Sequence, residues 1–170
     1  MPVLVPRHQR INVFAATGHR PPKLGGYTDV ARRRLENFAI EWLAKLQPKH
    51  IISGMALGWD QAVAVAARGL EIPWTAAIPF EGQESKWPRA SKIAYLKLLA
   101  SATKTVVVSP GTSYGAGYMQ QRNEWMVDRC QTVLALYNGS PGGTANCLAY
   151  ATAKRRTIIN LWEDWKEAQG

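Results

Sequence analysis

Apolar positions along this chain switch repeatedly between two periods. Ile11 to Thr17 (INVFAAT) is short, apolar and β-branched at its start, and it runs into Gly18, which predicts a buried strand ending in a turn. Further on, Leu35, Phe38, Ala39, Trp42, Leu43 and Leu46 recur at i, i+3, i+4, i+7, i+8 and i+11, the continuous stripe of a helix. Its other face carries Arg32, Arg33, Arg34, Glu41 and Lys45, and Pro48 stops the pattern. The same reading predicts strands over His50–Ser53, Trp74–Ile78, Thr105–Ser109, Thr132–Tyr137 and Thr157–Leu161. It predicts helices over Asp60–Leu70, Ser91–Ala100, Tyr118–Arg129 and Thr144–Lys154. The closing segment, Trp162–Gly170, reads as a short amphipathic helix docked through Trp162 and Trp165.

Strands that are apolar throughout, rather than alternating, are what a parallel sheet covered by helices on both faces requires. The expected architecture is a Rossmann-like α/β fold, a three-layer sandwich with a mostly parallel sheet. No repeat or low-complexity linker divides the chain, so residues 1–170 are expected to form one domain with a core at about 11–161.

Composition bounds the setting. With 46% apolar and 19% charged residues among 170, disorder is excluded, because disorder needs low hydrophobicity with high charge. The first ten residues lack the pattern of a secretory signal, and the longest purely apolar stretch, Ala62–Ala67, is far short of a membrane span. Cys130 and Cys147 form no C-x-x-C pair, and His8, His19 and His50 are scattered. A soluble cytoplasmic protein with no membrane partner, no metal and two small core thiols is expected. Monomer and homo-oligomer both stay open.

In an open parallel sheet, ligands bind beyond the carboxyl ends of the strands, so the loops there carry the chemistry. After the first strand comes Thr17-Gly18-His19-Arg20-Pro21-Pro22-Lys23-Leu24-Gly25-Gly26, either an ordinary Gly/Pro loop or one whose glycines let backbone approach a ligand and whose two cations meet an anion. After the second comes Ser53-Gly54-Met55-Ala56-Leu57-Gly58-Trp59-Asp60, a strand-to-helix turn whose N–H groups make a natural phosphate cradle. It matches neither a dinucleotide fingerprint nor a Walker A sequence. Asp60 either caps the helix or accepts a hydrogen bond from a ribose hydroxyl. Asn138-Gly139-Ser140-Pro141-Gly142-Gly143-Thr144 opens a later helix, either as a plain turn with Thr144 as its N-cap or as an anion site.

Met119, Arg122, Asn123 and Met126 fall on one helix face, and a core stripe does not hold an unpaired Arg. Arg122 either pairs with Asp128 or Asp60, or grips a phosphate with two N–H groups, the reading favoured here. In the loop Pro79–Pro88, Phe80 or Trp87 either stacks on a base, with Gln83 reading its edge, or plugs the loop onto the core.

Taken in order, Thr17-Gly18-His19-Arg20, the turn Ser53 to Asp60, Pro79-Phe80 with Gln83 and Trp87, Gln120-x-Arg122-Asn123 with Met126 and Asp128, and Gly142-Gly143-Thr144 resemble the YpsA-like family. That family belongs to the SLOG superfamily, named for the Smf/DprA and LOG proteins, and the resemblance runs from about Ile11 to Leu161. It implies a Rossmann-like fold with a nucleotide or nucleotide-derived ligand in the crevice.

The turn Ser53-Gly54-x-Ala56-x-Gly58-x-Asp60 is similar to that of DprA proteins, which load recombinase onto single-stranded DNA. Met119-x-x-Arg122-x-x-x-Met126 followed by Pro141-Gly142-Gly143 resembles LOG phosphoribohydrolases, which split nucleoside monophosphates into base and ribose 5-phosphate. Those enzymes carry a Glu where this chain has Cys147.

The expected function is therefore binding or sensing of a phosphorylated nucleotide-type ligand. Gly54, Gly142, Gly143 and Thr144 would cradle phosphate, Arg122 would neutralise it, and Asp60 or Asn123 would bond the sugar. One alternative is an N-glycoside hydrolase, with Asp60, Glu84 or Glu81 replacing the missing carboxylate beside Arg122. Another is single-stranded nucleic-acid binding through Arg32-Arg33-Arg34, Lys97, Lys104 and Lys154-Arg155-Arg156, drawing on a net charge of +9.

Overall fold

The computed structural model describes residues 12–169. Strands β1 (Val13–Gly18), β2 (His50–Ser53), β3 (Trp74–Ile78), β4 (Lys104–Val107), β5 (Thr132–Leu136) and β6 (Thr157–Asn160) alternate with helices. The helices are α1 (Asp29–Leu46), α2 (Trp59–Gly69), α3 (Arg89–Ala100), α4 (Ala116–Asp128), α5 (Gly143–Ala153) and α6 (Trp162–Gln169). The strands form one sheet in the order β4-β3-β2-β1-β5-β6. Every neighbouring pair is parallel, as in Phe14 opposite Ile51 on one side and opposite Thr132 on the other.

Side chains of a strand point alternately to opposite faces, and here that alternation divides the core in two. Phe14 and Ala16 face a cluster built with Leu35, Phe38 and Leu43 of α1, the alanines of α2, Tyr95 and Leu98 of α3, and Trp165 of α6. Ala15 faces a smaller cluster with Met126 and Val127 of α4 and Cys147 and Ala151 of α5. These two helical layers over one sheet are the expected α/β sandwich, and the β-strand periods read from the sequence follow from it.

The ends of the elements differ from the sequence reading where capping decides. Thr28 Oγ1 accepts the Ala31 N–H and starts α1 at Asp29, well ahead of the apolar stripe. Gly142, not Thr144, takes the cap position of α5. Trp165 docks α6 edge-on against Phe38 at 5.1 Å, as expected. The expected first strand position, Ile11, and the last residue, Gly170, lie outside the described residues.

The chain steps outward from β1 to β4 and then crosses back, so that β5 lies against the other side of β1. Loops after β1 and β5 therefore diverge, and the crevice between them is where this architecture places a ligand.

Candidate functional site

A cleft of about 430 Å³ opens at that crossing. Its walls come from the loops after β1, β2, β4 and β5 and from α4: Thr17, Gly18, His19 and Arg20; Ala56 and Asp60; Arg122 and Asn123; Gly142, Gly143 and Thr144. Eleven positions singled out in the sequence thus meet around one space, although they are spread over most of the chain.

Each glycine loop has a different local reason. Trp59, fully buried, packs on Gly18 so closely that a Cβ there would stand 2.5 Å from the indole Cδ1. The Trp59 N–H and the His19 carbonyl bond at 3.2 Å, and Gly58 permits this approach with φ of +98°. Gly58 itself borders a separate groove between α1, α2 and α3.

The turn after β2 is closed on itself. Ser53 Oγ accepts the Met55 N–H at 3.2 Å and donates to the Asp60 carbonyl at 2.7 Å, while the Gln61 side chain donates to the Met55 carbonyl. Ser53, Gly54 and Met55 are buried and do not line the cleft, with Met55 fully buried at φ of +61°. The Met55 and Trp59 N–H groups expected to cradle phosphate already have protein acceptors.

The start of α5 is the opposite case. Gly142 offers no side-chain cap and the first turn holds no acid, so the partial positive charge of the helix end faces the cleft without a carboxylate of its own. Lys23 joins this side, donating from Nζ to Ser140 Oγ at 2.7 Å, and Asn138 Oδ1 accepts the Ser140 N–H at 2.9 Å.

Asp60 is buried in the cleft wall, and its Oδ1 has no hydrogen-bond partner. Burial pushes its carboxyl up to about 6, against the pull of Arg122, Arg20 and the Ala56 N–H. It is the one acid lining the cleft among the described residues. Glu81 instead accepts the Gly111 N–H at 3.2 Å, and Glu84 stands away from the cleft.

Arg122 is only 4% exposed. Its Nη1 donates to the carbonyls of Gly54 at 2.6 Å and Ala77 at 3.2 Å, its Nε to Asn123 Oδ1 at 3.3 Å. Asp128 binds Tyr150 Oη instead, and the Asp60 charge reaches Arg122 through space, opposing the downward pull of burial on the guanidinium. The expected two-pronged grip on phosphate is corrected accordingly: two of the three nitrogens are held by protein oxygens, and Nη2 has only Met119 Sδ at 3.8 Å.

Phe80 and Gln83 are likewise buried and do not line the cleft. Gln83 donates to the Gly54 carbonyl and to Tyr95 Oη, both at 3.2 Å, and Trp87 packs edge-on against Tyr95. Of the two readings of this loop, the structure takes the plug. Cys147, in the position of the LOG glutamate, is buried beside Thr17, and burial lifts its thiol to about 11.

His19 closes the crossing. Its Nε2 accepts the Asn138 N–H at 2.9 Å, and its ring packs against Tyr137 and Trp162. Met119 and Ser140, from the helix face and the loop already read in the sequence, also line the cleft, and so does Tyr114, which the sequence reading passed over. Tyr114 lies in the loop Ser109–Gly115 beyond the carboxyl end of β4, so the rule that found the other loops reaches it too. Among the described residues no cluster of three His, Cys, Asp or Glu is placed to hold a metal, and no helix is long and apolar enough to cross a membrane.

The SPbeta prophage-derived protein YoqJ of Bacillus subtilis strain 168 is 33% identical over 72% of this chain and 80% of its own length. The UPF0398 protein YpsA of the same strain is 25% identical over 86% of this chain and 87% of its own. The solved structure of DNA processing protein A (DprA) from Streptococcus pneumoniae superposes with a TM-score of 0.63 at 20% identity, over 85% of this chain and 48% of that one. A structure of the Helicobacter pylori protein, concerned with its single-stranded DNA binding mode, gives 0.58 at 16% over 86% and 63%. The chain thus spans about half to two-thirds of these DprA chains and shares their fold. The YpsA family model, described as the YspA SLOG family, matches residues 14–160. That match takes in nearly all of the described residues, and the chain belongs to the YpsA family of SLOG proteins.

Proposed function

We propose that the chain binds a phosphorylated, nucleotide-type small molecule in the cleft between β1 and β5. The observation that carries this reading is the pairing of an uncapped α5 N-terminus with the partnerless Asp60 Oδ1 in one cleft. A helix N-terminus favours an anion, whereas a buried carboxylate oxygen favours a donor such as a sugar hydroxyl. A ligand carrying phosphate and hydroxyl at opposite ends satisfies both, with Lys23 and Arg20 supplying countercharge. Cleft volume agrees, since small-molecule sites run from roughly 300 to 1,000 Å³.

Binding is favoured over hydrolysis because glycosidic cleavage needs a carboxylate poised at the sugar, and Asp60 would have to serve alone. Thermal-shift measurements with nucleoside monophosphates, ADP-ribose and cyclic nucleotides test the proposal: a ligand of the native state raises Tm by mass action. No shift with any of them at millimolar concentration would overturn it. Release of free base on prolonged incubation, followed by chromatography, would instead establish hydrolysis.

A second reading follows from the DprA likeness, that single-stranded DNA is the partner. Its basic residues are partly engaged: Arg32 pairs with Asp29 and Glu36, and Arg156 donates to the Val127 carbonyl. Affinity for an oligonucleotide falling steeply between 50 and 200 mM salt, as roughly expected for several phosphate contacts, would support it.

A further inference from the structure

Tyr114 keeps 67% of its surface exposed while lining the cleft. The buried ring of Phe80 supports it at 6.1 Å and 77°, and the Lys86 ammonium lies 5.5 Å from its centre. His19, the other ring at the cleft, is buried against Tyr137 and Trp162. Tyr114 is therefore the cleft's one aromatic surface open to a ligand among the described residues, and it stands in a different loop from the α5 N-terminus and from Asp60. Other exposed large apolar side chains, Tyr27, Val30, Ile93 and Leu96, do not line this cleft.

We propose that Tyr114 is the platform on which the planar base of the ligand stacks, so that the site selects nucleotides over base-free sugar phosphates. The inference rests on the reading of the cleft as a phosphate site and adds the third part of the ligand to it. Phosphate meets the α5 N-terminus, the sugar meets Asp60, and the base meets Tyr114. Stacking is available to every base because each has a π-face, so the selection is for a base, not for one base. Phe80 takes part as the support beneath the platform, which accounts for an aromatic residue in the sequence motif that does not itself reach the cleft.

Calorimetric titration of the full-length chain with AMP, CMP and ribose 5-phosphate tests this, using wild type, Tyr114→Ala and Tyr114→Phe, with circular dichroism to verify folding. Tyr114 is exposed, so the alanine variant is expected to fold. Both nucleotides should bind wild type more tightly than ribose 5-phosphate. Tyr114→Ala should weaken AMP and CMP by roughly 5- to 150-fold, the range of one base–aromatic stack, and leave ribose 5-phosphate unchanged; Tyr114→Phe should retain wild-type affinity. Equal binding of nucleotide and sugar phosphate by wild type, or a Tyr114→Ala variant that weakens neither or weakens both alike, overturns the platform while the phosphate site stands. Failure of wild type to bind any of the three overturns the platform, and the site reading falls with it when ADP-ribose and cyclic nucleotides also fail to bind.

Discussion

The imidazole Nε2 of His19 accepts the backbone N–H of Asn138 at 2.9 Å, joining the loops after β1 and β5 across 119 residues of sequence. Accepting that bond needs an unprotonated Nε2, so the clasp holds only with neutral His19. Burial keeps its pKa below the usual value of 6.5, helped by the Lys23 charge and opposed by the Asn138 side chain. An unfolded His takes up its proton near 6.5 and the folded one only at lower pH. Stability is therefore whole above that value and falls as the pH drops below it. His50, also held low by burial, adds to the same slope. Melting temperatures of wild type and variant from pH 8 to 5, compared so that the opposite contribution of Asp60 cancels, carry the histidine slope as a decline. They should decline less for His19→Gln, whose side-chain oxygen accepts the same bond without titrating; equal slopes would remove His19 as the cause.

Asp60 works in the opposite sense. Its carboxyl titrates at about 6 in the folded chain against 3.8 for the free side chain. The ionised form thus weighs against folding above pH 6, and the penalty is relieved as the pH falls from 6 towards 3.8. Asp60→Asn should stabilise the ligand-free protein at pH 7.5 by about 1–3 kcal/mol. The gain should vanish below pH 4, where Asp60 is itself protonated, and ligand affinity should fall throughout. Chemical denaturation at the two pH values checks the crossing.

Gly18 separates packing from binding. A Cβ there would lie 2.5–2.7 Å from Cδ1, Cβ and Cγ of Trp59, an indole anchored to the Leu134 carbonyl at 3.2 Å and unable to retreat. Gly18→Ala is expected to lose about 2–4 kcal/mol through this overlap. Gly117, in the first turns of α4 with no heavy atom within 4 Å of a built Cβ, provides the control. Gly117→Ala should gain about 0.5–1 kcal/mol. Urea denaturation of both variants reads the difference in sign.

Gly143→Asp sets stability against function. The position is exposed, and a built Cβ meets nothing within 4 Å. A carboxylate at the first position of α5 complements the helix end, so the ligand-free protein should gain about 0.3–1 kcal/mol. The same carboxylate stands where the phosphate is proposed, and nucleotide binding should be lost. A variant that melts higher and still binds AMP as wild type does would move the phosphate elsewhere.

Much of this was legible in the sequence because the relevant signals are local. Uniformly apolar strands such as Thr132–Leu136 announce a parallel sheet, and glycine loops at strand ends announce the crevice. What stayed hidden depends on which partner a group finds across the sheet. Arg122 reads as a phosphate grip until the carbonyls of Gly54 and Ala77 are seen to occupy it. Met55 and Trp59 read as cradle donors until Ser53 Oγ and the His19 carbonyl are found accepting from them. Tyr114 was missed for another reason: in a loop of Ser, Pro, Gly and Thr nothing periodic marks it, and its significance lies in exposure, which sequence spacing does not encode.

The strand order also imposes a schedule on synthesis. β1 is among the first elements made, yet the neighbour on its second side, β5, is made only after β2, β3 and β4. A growing chain can assemble the half-sheet β4-β3-β2-β1 and must then present β1 as an open, apolar edge until Thr132–Leu136 emerges. Such an edge invites pairing with the wrong strand. The cleft is completed in the same late event, because Asn138, which clasps His19, and the whole of α5 are translated after it. A chain truncated before β5 would leave the ribosome not as a weaker version of this protein but as a sticky half-sheet without a cleft.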